Sequence, residues 1–358
     1  MHVGLVIYGS LDTLSGGFLY DRQLVEHLRQ AGHTVGLMSL PWRNYRSHLL
    51  DNLRPGLLHH LRASPYDILL QDELNHPSLF LLNRGLKPHV SYPVVSIVHH
   101  LRSSEQHPAA LRPLYRWVER QYLRTVDAFV YNSQTTRHVV EAVLRASPPH
   151  VVAMPSGSRF TGMSTASITQ RAREDRPLRV VFVGNLIPRK GLHTLLDAVA
   201  RLPAEAAQLT AIGDTATNPA YVRAIRQRIK SLNLEAQVEL TGKLSRAALG
   251  EHLAAADVLA VPSQYEGFGI VYLEGMAFGL PAIATTSGAA KEIITSQTDG
   301  FLIPPEDAAA LANRLLALAS DRELLREMSL AARRRFDAHP TWDDTTARIE
   351  TFLTGITA

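Results

Sequence analysis

The chain contains no cysteine among its 358 residues. Disulfides and thiolate metal sites are therefore excluded, and the fold has to rest on its hydrophobic cores. No Asp-x-Asp occurs that would hold a divalent ion beside a diphosphate, and no two of the 16 histidines stand at the three- or four-residue spacing of helical metal ligands. No tightly held catalytic metal is expected. No apolar run approaches the roughly 20 residues that cross a bilayer, and the N-terminal residues enter a strand pattern without the basic and apolar sections of a signal peptide. A soluble, unprocessed, cytoplasmic protein is the expectation. The net charge is only +4, with the basic residues spread along the chain and no nucleic-acid motif, so no nucleic-acid partner is expected. GxGxxG is missing as well, which weakens a dinucleotide reading.

What is present is globular: 46% hydrophobic and 20% charged residues, in a length that suits two domains. Strand patterns at His2–Tyr8, Thr34–Ser39, Ile68–Gln71, Val94–Val98, Ala128–Tyr131 and His150–Ala153 alternate with helical periodicity. A second series follows at Arg179–Val183, Gln208–Ile212, Val238–Thr241, Val258–Val261, Pro281–Ala284 and Gly300–Ile303. This alternation predicts an α/β protein with two doubly wound parallel sheets. The stretch from Met163 to Arg176 is polar and reads as an interdomain linker. Domains are expected at 1–162 and 178–339, joined by a linker at 163–177 and followed by a C-terminal helix in 340–358.

The densest local signal is EGFGIVYLE, Glu266 to Glu274. Two carboxylates flank a glycine turn that opens a helix near Ile270; Gly267 and Gly269 let backbone approach a ligand, and unpaired helix N–H groups favour an anion. Glu274 stands one turn into that helix, placed to accept from ribose or sugar hydroxyls. Upstream, LRVVFVG reads as a buried strand followed by NLIPRKG, which puts Arg189 and Lys190 at a strand's carboxyl end, where open α/β sheets bind ligands. Two cations there can neutralise a diphosphate. Gly16 and Gly17 precede a helix carrying Leu24, Val25 and Leu28, and His99 and His100 end the strand VVSIV. Asp72, Glu73, Asn75 and His76 crowd polar groups at the end of another strand, where acceptor recognition and plain capping of the next helix are both open readings. Arg112, Arg116, Arg120 and Arg124 recur at four-residue intervals beside Leu114, Trp117, Val118, Tyr122 and Leu123. That stripe is either a solvated face of a packed helix or a surface for anionic lipid.

Five segments in order, from Leu14–Val35, Val95–His100, Val130–Arg137, Val183–Gly191 and Val261–Thr285, resemble the retaining GT-B glycosyltransferases of glycosyltransferase family 4 over nearly the whole chain. The resemblance implies two Rossmann-like domains facing a cleft, with a last helix crossing back to the N-terminal domain and Trp342 as its anchor; the helix may equally be read as packing on its own domain. It implies a retaining, metal-independent hexosyltransferase that moves sugar from a nucleotide-sugar, a UDP-sugar first and a GDP-sugar second, to a hydroxyl acceptor, with no other cofactor. By resemblance His99, Arg189, Lys190 and Glu266 are catalytic, Glu266 holding hydroxyls of the transferred sugar. Gly16, Gly17, Asn185, Lys243, Leu244, Gly267, Phe268, Gly269, Ile270 and Glu274 meet the donor, with Leu244 against the base and Glu274 on the ribose. Asp72, Glu73, Asn75, His76 and His100 are left for the acceptor.

Two departures stand out: Asn185 occupies a position where relatives often carry arginine, and Ser158 one where an acid commonly follows the Pro155–Gly157 turn. The rivals are a GT-B epimerase or phosphorylase and a non-catalytic carbohydrate- or membrane-binding scaffold. If the arginine stripe docks on lipid, the protein is expected at the inner face of the membrane.

Overall fold

The computed structural model describes residues 1–13, 15–105, 107–108 and 110–357. Leu14, the head of the glycine-pair segment, and Ala358, the end of the last expected helix region, lie outside the described residues. The chain divides into two compact units, one of Met1–Pro155 with Pro340–Ala358 and one of Ser156–His339.

In the first unit β1 (His2–Tyr8), β2 (Thr34–Leu40), β3 (Ile68–Asp72), β4 (Val94–Val98), β5 (Ala128–Tyr131) and β6 (His150–Val152) form one sheet in the order β2-β1-β3-β4-β5-β6. Every neighbour pair is parallel. Each crossover then needs a covering helix, which is why β3 and β4 are buried from end to end and read as largely apolar, ILLQD and VVSIV. The strand order reverses at β1 and β3, so the carboxyl ends of β1, β3 and β4 carry the glycine pair, Asp72–His76 and His99 along one edge.

The second unit repeats the plan with β7 (Leu178–Val183), β8 (Ala207–Ile212), β9 (Val238–Gly242), β10 (Val258–Ala260), β11 (Ala282–Thr285) and β12 (Gly300–Ile303), ordered β12-β11-β10-β7-β8-β9 and parallel throughout. Its reversal falls between β7 and β10, so the turns that follow these two strands lie side by side although they are far apart in sequence. Phe182, Leu259, Leu273 and Ile283 are fully buried around them, each contributing about 1.5–3 kcal/mol of apolar burial.

The stretch expected to be a linker carries a helix, Thr165–Ala172. Ser164 caps it by accepting from Ser167 N–H, and Ile168 and Ala172 are buried one turn apart, so the apolar period exists but is only two residues long. Arg171 fills the rest of that face: its guanidinium donates to the carbonyls of Ala254 at 3.0 Å and Phe278 at 2.8 Å. A buried cation that satisfies carbonyl oxygens looks like linker polarity in a sequence.

The last helix, Trp342–Thr357, belongs to the first unit. Trp342 is buried with its ring edge-on to Tyr20 at 5.9 Å, and Thr345 Oγ1 donates to the carbonyl of Met154 at 2.6 Å. Farther along, both oxygens of Glu350 are used, Oε2 by His27 Nε2 at 2.8 Å and Oε1 by His33 Nε2 at 2.9 Å. Burial pushes the Glu350 carboxyl up, but the bonds from His33 and His27 outweigh it and hold the group below its usual value. A depressed acid adds stability that is complete above its unfolded pKa of about 4.3 and is lost as pH falls through the folded one. Glu350→Gln should therefore lower the unfolding free energy by about 1 kcal/mol at neutral pH, with the deficit shrinking below about pH 4.5, as read from urea melts across pH. A deficit that is the same at pH 3.5 and pH 7 would mean that this carboxylate does not anchor the helix.

Candidate functional site

In the second unit β7 ends at Val183, and the chain makes a one-turn 3-10 helix at Pro188–Lys190 before the helix Leu192–Val199. The neighbouring strand β10 leads through Ser263 and Tyr265 into the glycine turn. The two turns meet through Glu266. Lys190 Nζ donates to Glu266 Oε1 at 2.5 Å, Ser263 Oγ donates to the same oxygen at 2.6 Å, and Arg189 Nη1 lies 3.7 Å from Oε2. Arg189 also donates to the carbonyl of Tyr265 at 2.8 Å. Glu266 is only 7% exposed. Burial raises its pKa, but Lys190 first and Arg189 next outweigh that, and the group stays a carboxylate below its usual range.

Gly269 opens the helix Ile270–Ala277 at φ +100, a conformation that side chains rarely adopt, and a Cβ there would fall 2.4 Å from the ring of Tyr272. The tyrosine is held in turn by its hydroxyl, which donates to the carbonyl of Val261 at 3.0 Å. Phe268 is buried, near the ring of His339, and Ile270 is half-buried. Glu274 is not part of the Glu266 cluster. Arg159 claims it, donating from Nη2 to Oε2 at 2.9 Å. Burial raises the Glu274 carboxyl above its ordinary value, with Arg159 opposing. Asn185 and Leu244 are half-buried and Lys243 exposed, at the ends of β7 and β9.

In the first unit the edge is built around His99, the residue after β4, which is 9% exposed. Its carbonyl accepts from Asn132 Nδ2 at 2.8 Å, and its Nε2 lies 3.3 Å from Asp21 Oδ1. Gly17 packs on the ring: a Cβ at that position would stand 3.1 Å from His99 Cδ2. Space for an imidazole is thus a structural reason for the second glycine of the pair, whereas Gly16 is exposed. His100 Nε2 meets Glu105 Oε1 at 3.0 Å.

The cluster after β3 is more deeply buried than its polarity suggests, with Asp72, Glu73, Asn75 and His76 each at 2% exposure or less. Asp72 Oδ1 caps the following turn by accepting from Leu74 N–H at 3.0 Å, and Asn75 Nδ2 donates to the carbonyls of Val6 and Asp72. His76 is spoken for on both nitrogens, Nδ1 by the Glu73 carbonyl at 3.0 Å and Nε2 by the Tyr45 hydroxyl at 3.1 Å. Capping, backbone and hydroxyl contacts thus engage Asp72 Oδ1, Asn75 Nδ2 and both nitrogens of His76, while Asp72 Oδ2 and Asn75 Oδ1 are buried without a hydrogen-bond partner. Burial, then the nearby carboxylate of Asp21, pushes Asp72 up to about 8, burial pushes Glu73 up to about 8, and burial pushes His76 down to about 4.

Folding creates two groupings that spacing did not disclose. Asp21, Asp72 and His99 bring ligand-type atoms within 4.8 Å of one another, as do Glu73, His76 and Glu119. In the first the imidazole is the charge partner of the acids; in the second both histidine nitrogens are already engaged. Asp21, Glu119 and Arg159 were missed because none stands in a glycine turn or at a strand end, the two patterns by which site residues were picked out. For Asp21 there was a signal: it stands three and four residues before Leu24 and Val25, on the helix face that those residues bury.

Residues 164–335 match the family described as glycosyl transferases group 1. Over 251 residues the chain is 28% identical to an alpha-D-kanosaminyltransferase of Streptomyces kanamyceticus, covering 66% of this chain and 64% of that protein. It is 29% identical over 237 residues to a D-inositol 3-phosphate glycosyltransferase of Kineococcus radiotolerans, covering 61% and 54%. It is 31% identical over 199 residues to a GDP-mannose-dependent alpha-(1-6)-phosphatidylinositol monomannoside mannosyltransferase of Mycobacterium tuberculosis, covering 53% and 51%. The matches thus span between 51% and 64% of these relatives' lengths. Among solved structures, a sucrose-phosphate synthase from Thermosynechococcus elongatus superposes with a TM-score of 0.84 at 22% identity, covering 99% of this chain and 98% of that one. Anabaena HepE, crystallised with UDP and glucose, gives 0.80 at 20%, covering 99% and 100%. Two helix-flanked parallel sheets matched in this way define the class: the fold is GT-B. The stretch that matches the family, residues 164–335, lies within the second unit, Ser156–His339.

The Arg159–Glu274 pair can be tested without any substrate. Arg159→Met leaves a buried carboxyl without its cation, a loss that for fully buried pairs costs about 3–5 kcal/mol. Because the Arg159 side chain is 30% exposed, about 2 kcal/mol is expected in urea unfolding, with the double variant Arg159→Met, Glu274→Gln recovering part of it. A neutral single variant would show that Glu274 has no need of Arg159.

Proposed function

We propose that the protein transfers a sugar from a nucleotide-sugar donor to a hydroxyl acceptor, as a retaining hexosyltransferase that needs no metal. The observation that carries this reading is the Lys190–Glu266–Arg189 cluster beside the glycine turn that opens the helix Ile270–Ala277, inside the family-matched segment. A departing nucleoside diphosphate develops negative charge, and two cations with helix N–H groups are placed to stabilise it. Lys190 already shares its charge with Glu266, so a diphosphate gains most from the lysine as its own charge grows. That is the differential binding a transition state requires. Glu266 is assigned to hydroxyls of the transferred sugar and Glu274 to the ribose, which then shares that carboxylate with Arg159. Gly16, Gly17, Asn185, Lys243, Leu244, Gly267, Phe268, Gly269 and Ile270 complete the donor contacts, and Asp72, Glu73, Asn75, His76 and His100 support the acceptor side. The mannosyltransferase relative is GDP-mannose-dependent and HepE was crystallised with UDP, which supports testing both bases. Retention follows from front-face attack, the leaving phosphate taking the acceptor's proton. An epimerase would turn over donor without acceptor, and a scaffold would bind it without turnover.

A surface feature supports a lipid-linked acceptor and a peripheral location at the membrane's inner face. Leu114 and Trp117 are 41% and 53% exposed on the helix Arg112–Leu123, where Arg112 and Arg116 are exposed as well. The Trp117 ring meets Phe80 at 5.8 Å, next to exposed Leu81, whose N–H donates to Asn52 beside exposed Leu53. The exposed apolar residues therefore come from three stretches of the chain, with exposed Arg54 next to Leu53 in sequence and Arg84 donating to Gln121 of the same helix. Apolar anchors among arginines suit an anionic bilayer surface. No helix among the described residues is long and apolar enough to cross a membrane.

A thermal-shift panel of UDP-, GDP-, ADP- and dTDP-sugars should single out the donor, because binding to the native state raises Tm. With that donor Lys190→Ala should lose about 2 to 4 kcal/mol of transition-state stabilisation, roughly 30-fold to several hundred-fold in kcat, while EDTA leaves wild-type transfer unchanged. Wild-type turnover by Lys190→Ala removes the lysine from the reaction, and activity that EDTA abolishes and manganese restores ends the metal-free reading. Flotation with vesicles should show binding that grows with anionic lipid, weakens in salt and drops when Trp117 becomes serine or Arg112 and Arg116 become glutamine. Equal recovery on neutral and anionic vesicles would dismiss the patch as a lipid surface.

A further inference from the structure

Asp21 is an aspartate with 0% exposure on the inward face of the helix Gly16–Gln30, a place where the neighbouring Phe18, Leu24, Val25 and Leu28 are all apolar. It caps nothing. Its Oδ1 meets His99 Nε2 at 3.3 Å, and its Oδ2 is buried without a hydrogen-bond partner. A charge buried this deeply needs a counter-charge in contact, and the imidazole is the group in reach.

The ring of His99 is confined from several directions. Gly17 leaves just enough room for it, Tyr20 stands edge-on at 5.3 Å, and Asp21 holds one nitrogen. The other nitrogen, Nδ1, has no protein partner among the described residues, and the side chain keeps 11% of its surface exposed. We propose that Asp21 is a positioning residue that fixes His99 in one orientation as an imidazolium, so that Nδ1–H is offered as a donor to a ligand oxygen. A neutral imidazole bonded to Asp21 through Nε2–H would present a lone pair at Nδ1 and accept from a hydroxyl instead. Asp21 thus decides the sign of the contact. The proposal rests on the sugar-transfer reading only in taking that oxygen to belong to the donor sugar.

The groups that face His99 are Asp21 and Tyr20 from the Gly16–Gln30 helix and Asp72 and Glu73 from the end of β3, with His100 beside it in the chain and Glu105 and Arg102 beyond Glu73. Burial disfavours the cation, but Asp21 first, then Asp72 and Glu73, outweigh it and raise His99 to about 9. Since the group's folded value is raised, the imidazolium persists through neutral pH and is lost as pH rises toward 9.

The test is NMR of histidine-labelled full-length protein, the His99 signal being identified by its loss in His99→Gln. In the wild type the signal should keep the imidazolium nitrogen pattern past pH 8; in Asp21→Asn its midpoint should fall by at least one pH unit, and Asp21→Glu should restore part of the shift. A wild-type midpoint near that of a free histidine, or one that Asp21→Asn leaves in place, overturns the proposal. Should Asp21→Asn fold poorly, Gly17→Ala crowds the ring at Cδ2, beside the nitrogen that Asp21 holds, without changing charge and should lower the midpoint too; an unmoved midpoint there counts against the clamp. With the donor in hand, the alkaline limb of kcat should move down with the NMR midpoint in Asp21→Asn while KM for the acceptor holds. A displaced midpoint with an unmoved limb removes Nδ1–H from the reaction. Absence of any transfer, with the NMR shift intact, refutes the sugar-transfer reading and leaves the clamp standing.

Discussion

The ion pair between Lys190 and Glu266 ties together two turns that are 76 residues apart in the chain. A parallel sheet is covered on both faces, so its polar chemistry has to gather at the strand ends, and at the reversal of strand order two ends are left adjacent with no helix between them. There the second unit places a lysine, an arginine, a serine and a glutamate in mutual contact. Once Glu266 is buried it cannot do without the lysine, the lysine is oriented by that contact, and the helix Ile270–Ala277 starts where the shared turn leaves it. The rest of the arrangement at these strand ends hangs from this one charge balance.

The first unit solves the same topological problem with the opposite sign. Carboxylates outnumber cations at its reversal point, and burial, not pairing, sets their protonation: Asp72 and Glu73 are raised while His76 is driven neutral. One edge thus offers fixed charges and the other a reservoir of protons.

Much of this could be read in advance. The central strands were visible as apolar runs because parallel strands are buried on both sides, and Arg189, Lys190 and Glu266 were visible because strand-end cations and glycine turns are local patterns. What could not be read is contact. Nothing in NLIPRKG shows that its lysine is already held by Glu266, and nothing in Glu274 shows that Arg159 has claimed it. The Thr165–Ala172 helix was hidden by Arg171, whose burial depends on carbonyls supplied by residues more than eighty positions away. Asp72, Asn75 and His76 were visible as a polar cluster, but such a cluster at a strand end has the same composition whether it faces a substrate or caps a turn.

The return of the helix Trp342–Thr357 to the first unit makes the second unit an insertion between the two parts of the first. During synthesis residues 156–339 are all available to fold as soon as they emerge, whereas Tyr20, His27, His33 and the carbonyl of Met154 wait for partners made only after the second unit. The half that is translated first is therefore the half that is finished last, and until then it shows the seat of Trp342 as an open apolar surface for which chaperones and aggregation compete.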